Sequence, residues 1–222
     1  MTPSSEPGRP SGPPAEPPAD RRPLRFPVLG QLQFWFACFF AVGWTGVVCA
    51  GLGVQFVSWD YPCPLCMIQR MFMLLAALGA CCIVRRGMAG AITGRDYMTG
   101  WGLALIAVIG GAFTSWRQTM LHILPGDKGY GDPVLGLHMY VWAWILFIAS
   151  VVAIGVVMAL AHLTTEYAIP ASPQRAAGHL VLGFVGLITA VNLVSVFFEE
   201  GFHWFLPDDP TRYQFFYDLG VL

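Results

Sequence analysis

Apolar residues run through the chain in five long blocks, with polar, proline-bearing or arginine-bearing stretches between them. The blocks cover residues 33–57, 63–84, 98–123, 137–162 and 176–198. About 20 residues rising 1.5 Å each cross a hydrocarbon core of roughly 30 Å, so each block predicts a membrane-spanning helix. Polar interruptions inside the blocks are few: Arg70 in the second, Arg117 near the end of the third, Asn192 in the fifth. The first block belongs to a run, 27–59, of 33 residues without a charge. The apolar region of a cleaved signal is about 7–15 residues, so this run predicts a retained helix. No internal repeat is visible, and glycines inside the spans are expected to serve close helix packing.

Composition supports the same class. Hydrophobic residues make up 56% of the 222 and charged residues 11%, and the mean hydropathy is +0.60. A soluble domain carries about 25% charged residues, so lipid must replace water over most of this surface. The net charge of −1 offers no basic field for nucleic acid. The expected fold is an all-α membrane protein: a four-helix transmembrane bundle with an additional fifth transmembrane helix. Residues 1–27 are rich in Pro, Ser and Gly and are expected to be a disordered tail. Residues 28–165 then form a four-helix membrane domain, and 166–222 the fifth helix with a C-terminal tail.

Charge sets the expected orientation. Arg9, Arg21, Arg22, Arg25, Arg85, Arg86, Arg95 and Arg175 would share one side, against Lys128 and Arg212 on the other. Eight against two predicts a cytoplasmic N-terminus, with the 58–62 turn, the 124–136 loop and the C-terminal tail outward.

Position separates the six cysteines. Cys63 and Cys66 form Cys-Pro-Leu-Cys at the outward end of the second span. Cys81 and Cys82 lie about 22 Å deeper by helical rise, on the reducing side. Together with Cys38 and Cys49 they read as small buried apolar residues. The Cys63–Cys66 pair faces an oxidising compartment and starts a helix, whose amino terminus favours a thiolate. Pro62 and Pro64 suit a first helical turn. A redox dithiol is the leading reading, beside a metal site or a plain structural staple.

Arg70 follows Cys66 by four residues and Cys63 by seven, so all three share a helix face. An arginine inside the hydrocarbon boundary is a functional hypothesis by default, against simple snorkelling to the interface. Its positive charge would favour a Cys66 thiolate and offer a hydrogen bond to a carbonyl of an apolar oxidant. No flavin or nucleotide fingerprint is present, and a dithiol at the lipid surface can reach a quinone, a two-electron carrier dissolved in the membrane.

The string from Tyr61 to Arg70, Tyr-Pro-Cys-Pro-Leu-Cys-Met-Ile-Gln-Arg, resembles the signature of the bacterial disulfide bond formation protein B (DsbB) family. Gln-Thr-Met-Leu-His from Gln118 to His122, and Leu-Gly-Leu-His-Met-Tyr-Val-Trp from Leu135 to Trp142, agree with it. The resemblance covers roughly residues 30–165. It implies a quinone-linked thiol oxidase of the bacterial cytoplasmic (inner) membrane, with ubiquinone or menaquinone as cofactor. It also implies a thioredoxin-like periplasmic or extracytoplasmic thiol protein as partner. Cys66 maps to the quinone-facing cysteine, Cys63 to the one that meets the thiol partner, and Arg70 to the arginine beside the quinone. Family members commonly place a histidine where Gln118 stands; here His122, one turn further out, is the expected substitute near the quinone, with Arg117 assisting.

The family's usual second outward cysteine pair is missing. Longer five-span relatives carry cysteines in a tail like 198–212, where this chain has Glu200 and Leu206 or a neighbour of it. Either Cys63–Cys66 accepts electrons directly or a partner protein supplies the missing pair. Two alternatives stand beside the oxidase: a non-catalytic membrane subunit that anchors a partner, and a metal site built from Cys63, Cys66, His122 and His138.

Overall fold

A computed structural model of the chain describes residues 27–131, 133–161, 167–168, 173–203 and 210–221. The helices are α1 (Pro27–Ser58), α2 (Pro64–Ala89), α3 (Gly94–Leu121), α4 (Met139–Ala159), α5 (Pro173–Glu200) and the short α6 (Gln214–Asp218). Two residues of β1 (Ala91–Ile92) pair antiparallel with two of β2 (Tyr167–Ala168). Among the described residues five helices, α1 to α5, are long and apolar enough to cross a membrane. The protein is therefore an all-α, multi-pass membrane protein. Of the tail expected over 1–27, only Pro27 falls within the described residues, where it opens α1.

Local chemistry explains the helix starts. Pro64 occupies the first turn of α2, where its missing N–H is one the helix could not have used. The Thr93 hydroxyl accepts from Asp96 N and the Asp96 carboxylate accepts from Thr93 N, a reciprocal cap that opens α3.

Helix α2 packs between α1 and α3, α4 lies on α3, and α5 docks against α1 and α2. Small residues set the α2–α3 spacing. A methyl on Gly79 would come within 2.7 Å of Ala104 N, and one on Gly100 within 2.9 Å of Gly79 O. These backbones are in contact, as small residues allow in membrane helices, where lipid supplies no hydrophobic drive between them. On the other side, the Phe147 ring of α4 fills the space over Gly111 of α3. Its opposite contact is Trp44 of α1, stacked at 4.5 Å, which joins α1 to α4. Trp101, fully buried, lies against Phe36, Phe40 and Tyr97.

Cys38 and Cys81 are buried as expected, but Cys49 and Cys82 are exposed on the helix surface. They share that surface with Phe39, Ile106, Phe113 and Leu180, an apolar exterior suited to lipid. A thiol is apolar enough for either place, which is why sequence position alone did not separate the two.

Candidate active site

Cys63 is the N-cap of α2: its Sγ accepts from the backbone N–H of Cys66 at 3.2 Å. The cap turns both side chains to the same side, with the sulfurs 2.7 Å apart as free thiols. Gln118 of α3 completes the pair. Its Nε2 donates to Cys63 Sγ at 3.2 Å and to Cys66 Sγ at 3.4 Å. Its Oε1 accepts from Gln69 Nε2 at 2.6 Å, which fixes the amide so that its donors point at sulfur. Gln69 and Gln118 are both buried. Helix amino termini favour thiolates, yet Cys63 sits outside the first helical turn. Its hydrogen bond with Cys66, with burial added, pushes its thiol well above the usual range, so Cys63 keeps the proton the two sulfurs share.

The dithiol separates two cavities. One, about 460 Å³, is lined by Cys66, Gln69 and Arg70, with apolar walls from Val47 and Val54 of α1 and Ala143 and Leu146 of α4. The other, about 680 Å³, is lined by Cys63, Pro64, Gln118, His122 and Asp60. Asp60 and, in the α3–α4 loop, Tyr130 and Gly131 line both. The Tyr130 hydroxyl donates to the Tyr61 carbonyl and ties that loop to the turn before Cys63.

Arg70 turns inward instead of reaching up to the interface. Its Nη1 donates to Gln55 Oε1 at 2.6 Å and its Nη2 to the Gly51 carbonyl at 3.0 Å. Gly51 makes room for this: a methyl there would stand 3.3 Å from Nε and Nη2 of the guanidinium. Gln55 in turn donates through Nε2 to Ser195 Oγ at 3.0 Å, Glu199 Oε2 at 3.1 Å and, more weakly, Tyr213 Oη at 3.4 Å. Burial raises the Tyr213 phenol, so it stays protonated.

The remaining expected residues are distributed differently. His122 caps the end of α3 and lines the Cys63 cavity, with Nδ1 3.2 Å from Asp127 Oδ1. The Tyr140 ring, 5.6 Å from that of His122, lines the Arg70 cavity and stands between that imidazole and the cavity. His122 thus lines the cavity beside Cys63 and not the one beside Arg70. Arg117 is exposed on α3 and lines neither cavity; one residue along a helix is a turn of about 100°, so Gln118 facing inward puts Arg117 outside. The four residues of the metal alternative do not converge. His138 Nδ1 pairs with the Gly131 carbonyl, and among the described residues no cluster of three His, Cys, Asp or Glu could hold a metal.

Gln55, Gln69 and Glu199 were not singled out by the sequence reading. The signal was present: each is a polar residue in or at the end of an apolar run, and burial there requires a partner. Of the tail positions compared with the relatives' cysteines, Leu206 lies outside the described residues.

Residues 33–130 match the family model for the disulfide bond formation protein DsbB. Over these residues, fewer than half of the chain, it is similar to that family. It is 32% identical over 100 residues to the disulfide bond formation protein B of Hahella chejuensis, covering 45% of this chain and 57% of that protein. The chain thus spans little more than half the length of that DsbB relative. No solved structure matches it. The DsbB-matched region holds Cys63, Cys66, Arg70, Gln118 and His122, whereas Glu199 of α5 lies beyond it.

Proposed function

We propose that the chain is a quinone-linked thiol:disulfide oxidoreductase of the bacterial inner membrane, with Cys63–Cys66 as its redox pair. The N-terminus is cytoplasmic in this reading, and the dithiol end and C-terminus face outward. Residues 28–165 form the catalytic domain. One observation carries the reading: Cys63 lines a cavity with Gln118 and His122, and Cys66 a largely apolar one with Arg70, the two meeting at Asp60, Tyr130 and Gly131.

The thiol half-reaction starts from the Cys63–Cys66 disulfide. A thiolate of a thioredoxin-like partner, or of a protein supplying the missing cysteine pair, attacks Cys63 Sγ. The Cys63–Cys66 bond breaks, a mixed disulfide forms, and Cys66 leaves as a thiolate near the positive charge of Arg70. The partner's second thiolate attacks its own sulfur in the mixed disulfide and releases Cys63, which takes up a proton. The partner has lost two electrons and two protons.

The cavity beside Cys66 suits a quinone head: apolar walls for the ring, and a guanidinium with five N–H donors, of which two are bonded within the protein. Cys66, Gln69 and Arg70 would hold it there. A bound quinone supplies a two-electron, two-proton acceptor that returns the pair to the disulfide. Gln118 keeps both sulfurs aligned through the cycle, and Gln69 keeps Gln118 in its amide orientation. Reduced, purified protein mixed with a soluble quinone analogue should bleach it with one disulfide formed per quinone consumed. Intact Cys63 and Cys66 thiols that persist beside unreduced quinone would overturn the assignment.

A further inference from the structure

Gln55 is bonded on both sides. Its carbonyl end receives Arg70 Nη1, and its amide end is spread over Ser195 and Glu199 of α5 and Tyr213 beyond it. Gln55 is fully buried and Glu199 1% exposed, so neither has water as an alternative partner. A buried amide that loses one of its acceptors is held less firmly. A looser Gln55 holds its oxygen less firmly against Arg70 Nη1.

We propose that Glu199 is a positioning residue of the redox site, which through Gln55 holds Arg70 against the cavity beside Cys66. The fifth helix is then a working part of the site, although the DsbB match ends before it. The chain beyond α5 braces the motif a second way: the rings of Tyr213 and Tyr61, the latter two residues before Cys63, meet edge to face at 5.0 Å. Glu199 acts by accepting a hydrogen bond, and its second carboxylate oxygen has no partner.

The inference rests on the reading of Cys63–Cys66 and Arg70 given above, and its test separates the two. Full-length Glu199→Leu, Glu199→Gln, Ser195→Ala and Arg70→Ala proteins are equilibrated with glutathione buffers, and the Cys63–Cys66 dithiol fraction is read by alkylation gel shift, with no quinone present. Arg70→Ala removes the charge that favours the reduced pair and shifts the equilibrium toward the disulfide. Glu199→Leu should shift it the same way by about threefold, some 14 mV at about 30 mV per tenfold for two electrons. Glu199→Gln keeps an acceptor oxygen for Gln55 and should stay with the unaltered protein. Ser195→Ala should fall between. The double variant Arg70→Ala/Glu199→Leu should equal Arg70→Ala alone, because residues acting through one group are not additive. The KM for a soluble quinone analogue should follow the same order, with kcat much less affected.

A Glu199→Leu protein at the unaltered potential, or additivity in the double variant, overturns the role of Glu199 while leaving that of Arg70. A Glu199→Gln shift toward the dithiol would show that Glu199 acts by its charge, and overturns the hydrogen-bond account. An Arg70→Ala protein unchanged in both readouts removes the underlying reading and this inference with it. Misfolding of Glu199→Leu leaves the Gln, Ser195→Ala and Arg70→Ala comparisons to decide.

Discussion

Replacing Gln118 with leucine tests the hydrogen bonds to the sulfurs most directly. The side chain keeps similar volume between α2 and α3, but the donor at 3.2 Å from Cys63 Sγ and 3.4 Å from Cys66 Sγ disappears. Hydrogen bonds to a charged acceptor contribute about 1.5–3 kcal/mol. The bond to Cys66 stabilises the reduced, thiolate-bearing pair far more than the disulfide. Its loss therefore lowers the potential, and with 30 mV worth about 1.4 kcal/mol the drop is about 30–60 mV. Leucine also removes the acceptor of Gln69 Nε2, a buried group bonded at 2.6 Å, so the fold should lose about 1–3 kcal/mol as well. Glutathione titration with gel-shift readout measures the first effect and thermal unfolding in detergent the second. Gln118→Glu, which keeps the Gln69 bond and brings a negative charge to the sulfurs, should lower the potential while retaining more stability. A Gln118→Leu protein that folds and keeps its potential within about 10 mV, well under the 30 mV that 1.4 kcal/mol represents, would refute the assigned role.

Other expectations follow from the same geometry. A Cys66→Ala protein should accumulate a mixed disulfide through Cys63, seen as a reducible heavier band, and Cys63→Ala should trap far less; equal trapping would reverse the division of labour. Gly79→Ala places a methyl 2.7 Å from Ala104 N. The resulting overpacking should cost about 1–3 kcal/mol, read as a lowered midpoint of thermal unfolding, and an unchanged midpoint would mean the helices part easily. Membrane-impermeant thiol reagents applied outside intact cells should modify reduced Cys63 or Cys66 and leave Cys81 and Cys82 untouched; reaction at the deep pair would invert the proposed topology.

The five spans were legible because a helix in lipid must satisfy its backbone internally and present apolar side chains over a fixed thickness. The block at 63–84 became α2 at Pro64–Ala89, and the block at 176–198 became α5 at Pro173–Glu200. The nearness of Cys66 and Arg70, which line one cavity, was legible for a related reason, since helical spacing places them together without knowledge of any other element. What spacing along one helix cannot provide is the partner from another. Gln118 reaches the sulfurs across 52 and 55 positions, and Glu199 reaches Gln55 across 144. His122 illustrates the converse. Its nearness to the outer end of the bundle was readable, but the side it faces depends on where Asp127 and Tyr140 stand. The short strand pair and α6 carry too few residues for any periodicity to announce them.

The hydrogen bond between Gln55 and Glu199 also has a consequence in time. Helices of a membrane protein leave the ribosome in chain order, at about 5–20 residues per second. Gln55 and Arg70 enter the bilayer among the first, and the 144 positions separating Gln55 from Glu199 take on the order of ten seconds to synthesise at that rate. Through that interval the dithiol, Gln118 and Arg70 can already be assembled, while the amide of Gln55 still faces lipid where α5 will dock. If Glu199 positions Arg70 as proposed, maturation of the Cys63–Cys66 site is tied to completion of the last transmembrane helix, and a chain halted before α5 would carry the cysteines without a fully anchored arginine.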